Sequence, residues 1–181
     1  FGLLGSRLGL FINRGELNFE LADTVLSGID YFYYGLVGHE LIDLDGDNDL
    51  DIIVLNSGQI SYVHCLTNEG NGNFTESSQL ALKHWIRKMF LTDINNDEHS
   101  DIVLQYNYGI STFLGNGEGT FELLNNLYIY GASTVMDSDN NGFGDIVIPN
   151  CRESKLGIMV NDGTGFYNGE YFEIYPDLPP Q

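Results

Sequence analysis

Nine residues, Asp43-Leu44-Asp45-Gly46-Asp47-Asn48-Asp49-Leu50-Asp51, carry five carboxylates and run straight into the apolar Ile52-Ile53-Val54-Leu55. Carboxylates held this close repel one another, and a hard divalent cation with oxygen ligands relieves the repulsion. The size and flexibility of such a shell favour Ca²⁺ over Mg²⁺. Alternate side chains of a tight loop can point inward together. Gly46 and Asn48 suit it, because Gly has no Cβ to clash at positive φ and Asn tolerates that region.

The same nine-residue frame occurs twice more. Asp93-Ile94-Asn95-Asn96-Asp97-Glu98-His99-Ser100-Asp101 precedes Ile102-Val103-Leu104, and Asp137-Ser138-Asp139-Asn140-Asn141-Gly142-Phe143-Gly144-Asp145 precedes Ile146-Val147-Ile148. Each frame has Asp first, Asp or Asn third and fifth, Asp ninth, then a β-branched apolar run. The frames start at 43, 93 and 137, so they are 50 and 44 residues apart. That spacing is the period of a β-propeller blade or a similar array.

Composition matters for what this array can meet. The formal charge is −19, from 26 acids against 7 bases, which opposes binding to a nucleic-acid backbone or to anionic lipid. Twelve of the 26 acids lie inside the three frames, and three divalent ions would still leave the chain at −13. The hydrophobic content of 43% is ample for a core in a 181-residue chain, and no apolar run reaches the roughly 20 residues of a membrane span. Neither nucleic acid nor membrane insertion is expected. The only cysteines, Cys65 and Cys151, occupy non-equivalent places, so they form one bridge or remain two thiols. The chain begins at Phe1, with no charged start leading into an apolar stretch, so a signal peptide is expected to be absent or already removed.

A second marker runs in phase with the acidic frames. Asn13 to Phe19, Thr67 to Phe74, Leu114 to Phe121 and Val160 to Phe166 each pass from an apolar run through an Asn- and Gly-rich turn to Phe. Asn-Gly and Asp-Gly supply the positive φ that tight hairpins require. The unit then reads as four short strands. A lead-in (Leu36 to Ile42, Lys88 to Thr92, Ser133 to Met136) meets the acidic frame, and a buried run returns (Ile52 to Leu55, Ile102 to Gln105, Ile146 to Ile148). A third strand follows (Ile60 to Leu66, Ile110 to Leu114, Gly157 to Val160), and a fourth follows the Phe. Phe1 to Ser6, Arg7 to Asn13 and Leu17 to Ala22 supply three strands of an incomplete first unit. Leu80 to Met89 reads as strand and linker, with a helix as the alternative. The expectation is an all-β chain of four-stranded antiparallel propeller blades, three complete plus a partial N-terminal one, in one domain over 1–181. Its approximate repeats are 1–28, 29–80, 81–126 and 127–181.

These frames and turns resemble the FG-GAP or VCBS-type repeat of integrin α-chain propellers and many secreted bacterial proteins. The resemblance implies that each frame binds Ca²⁺ through side chains at positions one, three, five and nine and the backbone carbonyl at seven. By position this selects Asp43, Asp45, Asp47 and Asp51 with the Asp49 carbonyl. The second set is Asp93, Asn95, Asp97 and Asp101 with the His99 carbonyl, and the third is Asp137, Asp139, Asn141 and Asp145 with the Phe143 carbonyl. Up to three Ca²⁺ are implied, and an extracellular, secreted or cell-surface location. Asn96, Glu98 and Ser100 depart from the small residues usual in such loops, so the second loop is expected to be the more strained and weaker site. The third has one carboxylate fewer than the first, which should be the tightest.

Propellers close with about 4 to 8 blades. The count here implies a segment of a larger ring, one completed by a partner or by self-association, or a closed four-bladed ring with one incomplete blade. No nucleophile elbow, His-Glu-x-x-His or phosphate-cradling loop is present, and His39, His64, His84 and His99 stand in four unrelated contexts. Tyr31 to Tyr34 and Tyr128-Ile129-Tyr130 read as strand packing. Two functions remain. One is a calcium-binding adhesion scaffold for a protein or glycan ligand; the other is the propeller portion of a secreted polysaccharide lyase or hydrolase.

Overall fold

Short apolar runs separated by Gly- and Asn-rich turns can bury themselves only by pairing side by side, and that pairing is what the computed structural model shows. It describes residues 2–3, 7–27, 36–70, 72–129, 133–150 and 155–168. Among these residues there are strands and turns but no helix, and Leu80 to Met89 divides between two strands.

The first sheet holds β1 (Gly2–Leu3), β2 (Arg7–Asn13) and β3 (Phe19–Ser27). The second holds β4 (Leu36–Ile42), β5 (Asp51–Asn56), β6 (Ser61–Asn68) and β7 (Phe74–Leu82). The third holds β8 (Ile86–Thr92), β9 (Asp101–Tyr106), β10 (Gly109–Gly115) and β11 (Phe121–Leu127). The fourth holds β12 (Thr134–Met136), β13 (Asp145–Asn150), β14 (Lys155–Asn161) and β15 (Tyr167–Asn168). Every sheet is an antiparallel meander in chain order. The acidic frames are the turns from β4 to β5, β8 to β9 and β12 to β13.

Burial explains why the second strand of each unit reads as a continuous apolar run. All six residues of β5 and all six of β9 are buried, so both faces of these strands are covered. Side chains alternate between the faces. Ile53, Leu55, Val63 and Cys65 of the second sheet therefore meet Ile102, Leu104, Tyr106 and Phe113 of the third. From the opposite face of the third sheet, Val103 and Ile110 meet Ile146, Ile148 and Met159 of the fourth. Each fully buried Ile or Leu contributes roughly 1.5–3 kcal/mol. The third sheet is held from both sides.

The Gly-rich turns fit these sheets together. The β10–β11 turn holds Gly117 at φ 70 and Gly119 at φ 73, and a Cβ on Gly117 would lie 2.4 Å from the His99 ring of the same sheet. A Cβ on Gly119 would lie 2.8 Å from Ser77 Oγ of the preceding sheet. Only a bare backbone approaches that closely. Gly119 N donates to Leu44 O at 3.3 Å and its carbonyl accepts from Ser78 Oγ at 2.8 Å. One unit later, Asn161 Nδ2 donates to Ile94 O at 2.7 Å and Asn125 Nδ2 to Gly165 O at 3.1 Å. The acidic loop of each of these sheets is thereby braced by the next sheet's turn.

Cys65 is buried as a free thiol, which burial pushes up to about 11 in pKa, and Cys151 lies outside the described residues. Ile129 is 4% exposed and packs as expected, whereas Tyr128 is 83% exposed and does not. Tyr31 to Tyr34 and Tyr130 lie outside the described residues.

Candidate metal centre in the acidic loops

Each loop is shaped first by its own carboxylates. Asp43 accepts from Gly46 N at 2.8 Å and Asn48 N at 3.0 Å, Asp93 from Asn96 N at 2.7 Å and Glu98 N at 3.0 Å, and Asp137 from Asn141 N at 3.1 Å and Gly142 N at 3.0 Å. Position five caps the backbone two residues on: Asp47 takes Asp49 N at 2.8 Å, Asp97 takes His99 N at 2.9 Å, and Asn141 Oδ1 takes Phe143 N at 2.8 Å. Positions four and six need positive φ. Gly46, Asn48, Asn96, Asn140 and Gly142 adopt it readily, but Glu98 at φ 70 carries a Cβ penalty of roughly 1–2 kcal/mol. The strain expected of the second loop is centred there.

Position nine is different. Asp51, Asp101 and Asp145 are each 0% exposed. Asp51 accepts from Leu44 N at 2.6 Å and Asn68 N at 2.7 Å; Asp101 accepts from Ile94 N and Gly115 N, both at 2.8 Å. Asp145 accepts from Ser138 N and Asn161 N, both at 2.8 Å, and from the Ser138 hydroxyl. Each carboxylate thus ties the start of its loop to the end of the third strand. Sequence reasoning assigned these residues as ligands and missed this second task, because the partners are 14 to 17 residues away and only hairpin register brings them close.

The first loop gathers carboxylate oxygens of Asp43, Asp45 and Asp51 within 4.8 Å of one another, and the third does the same with Asp137, Asp139 and Asp145. Asp47 stands outside the first trio. In the second loop position three is Asn95, whose Nδ2 donates to Asp97 Oδ2 at 2.9 Å, so Asp93, Asp97 and Asp101 lack a third-position acid to complete such a trio. Asn141 likewise donates to Asp139 Oδ2 at 3.2 Å and to Asn161 O at 2.8 Å. Burial first, and repulsion between neighbouring carboxylates after it, favours the protonated form of two of these groups. Partial burial, then the nearby Asp51 carboxylate, raises Asp45 above its ordinary value. Burial pushes Asp101 up to about 6, with Asp97 and Asp93 adding to the shift against two backbone hydrogen bonds. Two unit charges at 4 Å repel by about 1 kcal/mol in bulk water and about 4 kcal/mol at an effective dielectric of 20.

Residues 43–90 match the family described as the FG-GAP-like repeat. This stretch is similar to one such repeat. The other two acidic frames share its spacing. No curated protein matches the chain. Among solved structures it is similar to a propeller-type lectin from Agrocybe aegerita, whose structure concerns recognition of non-reducing terminal N-acetylglucosamine. That match has a TM-score of 0.63 and 23% identity, and covers 93% of this chain and 46% of the lectin chain. A Photorhabdus luminescens Tc holotoxin pore matches with a TM-score of 0.51 and 13% identity, over 94% of this chain and 9% of that one. These likenesses are likenesses of fold. The chain spans less than half the length of either neighbour.

Proposed function

We propose that this chain is a run of β-propeller blades, three complete and one partial, that binds Ca²⁺ and serves outside the cell as a scaffold for a carbohydrate or protein ligand. The observation that carries the reading is the pair of carboxylate trios, Asp43 with Asp45 and Asp51, and Asp137 with Asp139 and Asp145. Ca–O distances of 2.3–2.6 Å let oxygens around one ion lie up to about 5 Å apart, so three oxygens within 4.8 Å fit a calcium shell. The FG-GAP-like repeat over 43–90 and the fold likeness to a lectin support the scaffold role.

The remaining donors follow the frame: Asp47 and the Asp49 carbonyl in the first loop, Asn141 and the Phe143 carbonyl in the third. Asp93, Asn95, Asp97, Asp101 and the His99 carbonyl form a second site with one carboxylate fewer than the first and as many as the third. A bound ion would supply counter-charge. The protein's own residues do the rest: position-one carboxylates curl each loop and position-nine carboxylates anchor it to the sheet.

Thermal melts with and without chelator test this. A ligand that binds only the folded chain stabilises it by about 2.7 kcal/mol at a hundredfold excess over Kd. For a chain of this size that is a drop of roughly 5–10 °C in Tm on chelation, restored by Ca²⁺ and poorly by Mg²⁺. An unchanged Tm would remove the calcium assignment.

A further inference from the structure

The third sheet is electrically polarised along its strands. Its acidic loop, Asp93 to Asp101, occupies one end. The opposite end is built from the β7–β8 connection, the β9–β10 turn and the residues after β11. Stretches 77–92, 102–117 and 123–136 contain no Asp or Glu, in a chain with 26. Three of the chain's seven bases, Lys83, Arg87 and Lys88, fall in the first of these stretches.

The fold draws that end together. Arg87 Nε donates to Asn107 Oδ1, which ties the start of β8 to the β9–β10 turn. Ile129 N donates to Tyr108 O at 3.1 Å, which brings Tyr128 beside the same turn. His84 stacks on Tyr106 with ring centroids 4.3 Å apart, holding the segment that carries Lys83 and Trp85 against the sheet. The outward rings are Tyr128 at 83% exposed, Tyr108 at 62% and Trp85 at 37%. Aromatic rings with a polar edge, left in water beside cations, recur at binding surfaces.

We propose that this end of the third sheet binds an anionic polysaccharide. Sugar faces would stack on Tyr108, Tyr128 and Trp85, carboxylate or sulfate groups would meet Lys83 and Arg87, and Asn107 and the phenols would reach the hydroxyls. Dimensions favour a slim chain over an acidic protein. Four strands about 4.8 Å apart make a strip about 15 Å wide, whereas a stable protein partner needs about 800 Å² on each side and would meet the remaining surface of a −19 chain. The acidic loop lies a strand of 6 or 7 residues away, about 20 Å and more than two Debye lengths at physiological salt. Its repulsion is screened at the strip.

This inference rests on the reading of the chain as a binding scaffold but not on calcium. Affinity gel electrophoresis in carboxymethyl cellulose, hydroxyethyl cellulose and polyglutamate separates the possibilities, using the full chain, a Lys83→Ala/Arg87→Ala variant and a Tyr108→Ala/Tyr128→Ala variant. The ring positions replaced are those most open to solvent, and unchanged thermal melts confirm that the fold persists. Retardation by carboxymethyl cellulose is expected, weakened by salt, at least tenfold weaker in both variants and slight in the neutral polymer. Retardation of either variant by carboxymethyl cellulose as strong as that of the wild type, or none of the wild type, overturns the proposal. Retardation by polyglutamate that the base variant loses and the ring variant keeps also overturns it, in favour of an acidic peptide. If the neutral cellulose is bound and neither variant changes that, the scaffold reading stands and this surface is not its site.

Discussion

In the first acidic loop Asp45 meets Asp43 and Asp51, whereas in the second Asn95 takes the equivalent place and turns its amide toward Asp97, 2.9 Å away. The backbones agree: both loops are curled by the position-one carboxylate and stapled by the position-nine carboxylate. Shaping the loop and offering charge to an ion are therefore separable jobs. Positions one and nine shape the loop and also belong to the trio, whereas position three varies the charge offered while the shape is kept.

The strongest challenge to that separation is removal of the staple. Asp51→Ala leaves Leu44 N and Asn68 N without an acceptor, and Asp101→Ala does the same to Ile94 N and Gly115 N. A buried donor left unpaired costs about 1–3 kcal/mol, so each variant should lose about 3 kcal/mol or more in urea unfolding, with or without chelator. Losses that disappear in chelator would mean that position nine acts only through the metal.

A gentler exchange swaps the donors at position three. Asp45→Asn should weaken calcium binding about tenfold, and Asn95→Asp should strengthen it about tenfold, each worth about 1.4 kcal/mol. Calorimetric titration of the two variants reads this, and shifts in one direction for both would break the comparison.

The smallest effect is in pH. In the calcium-free chain Asp101 is pushed up to about 6 by burial and by Asp97 and Asp93, above the roughly 3.9 of an unfolded aspartate. The folded state then holds that proton more tightly than the unfolded one. Asp101 accordingly opposes folding above pH 6, and the opposition fades as pH falls from about 6 toward 4. Carboxyl NMR in chelator should place its midpoint near 6, moving down when calcium is added. A midpoint at the unfolded value with no calcium response would show that burial is not felt there.

Several elements were legible because their cause is local. The lead-in Leu36 to Ile42 and the strand Arg7 to Asn13 have the bounds that apolar runs and flanking turns suggested. Other edges moved for a local reason too: β3 begins at Phe19, because Glu16 and Leu17 adopt positive φ within the turn. The candidate ligands were legible as a spacing of acids, but Asp47 was not separable from Asp45 by sequence, since both are alternate members of one frame.

Order and chemistry of the repeats follow from sequence alone: periodic acids force tight turns, Gly marks where positive φ is needed, and uninterrupted Ile, Val and Leu demand burial on both faces. The tertiary structure decided which carboxylates converge, which backbone amides the buried Asp51, Asp101 and Asp145 satisfy, and that Tyr108 and Tyr128 emerge beside Arg87 at the end of the third sheet opposite its acidic loop. The reason is distance along the chain. A turn is written in consecutive residues, but a hydrogen bond across a hairpin, or a patch assembled from three strand ends, depends on register and on how one sheet lies against the next.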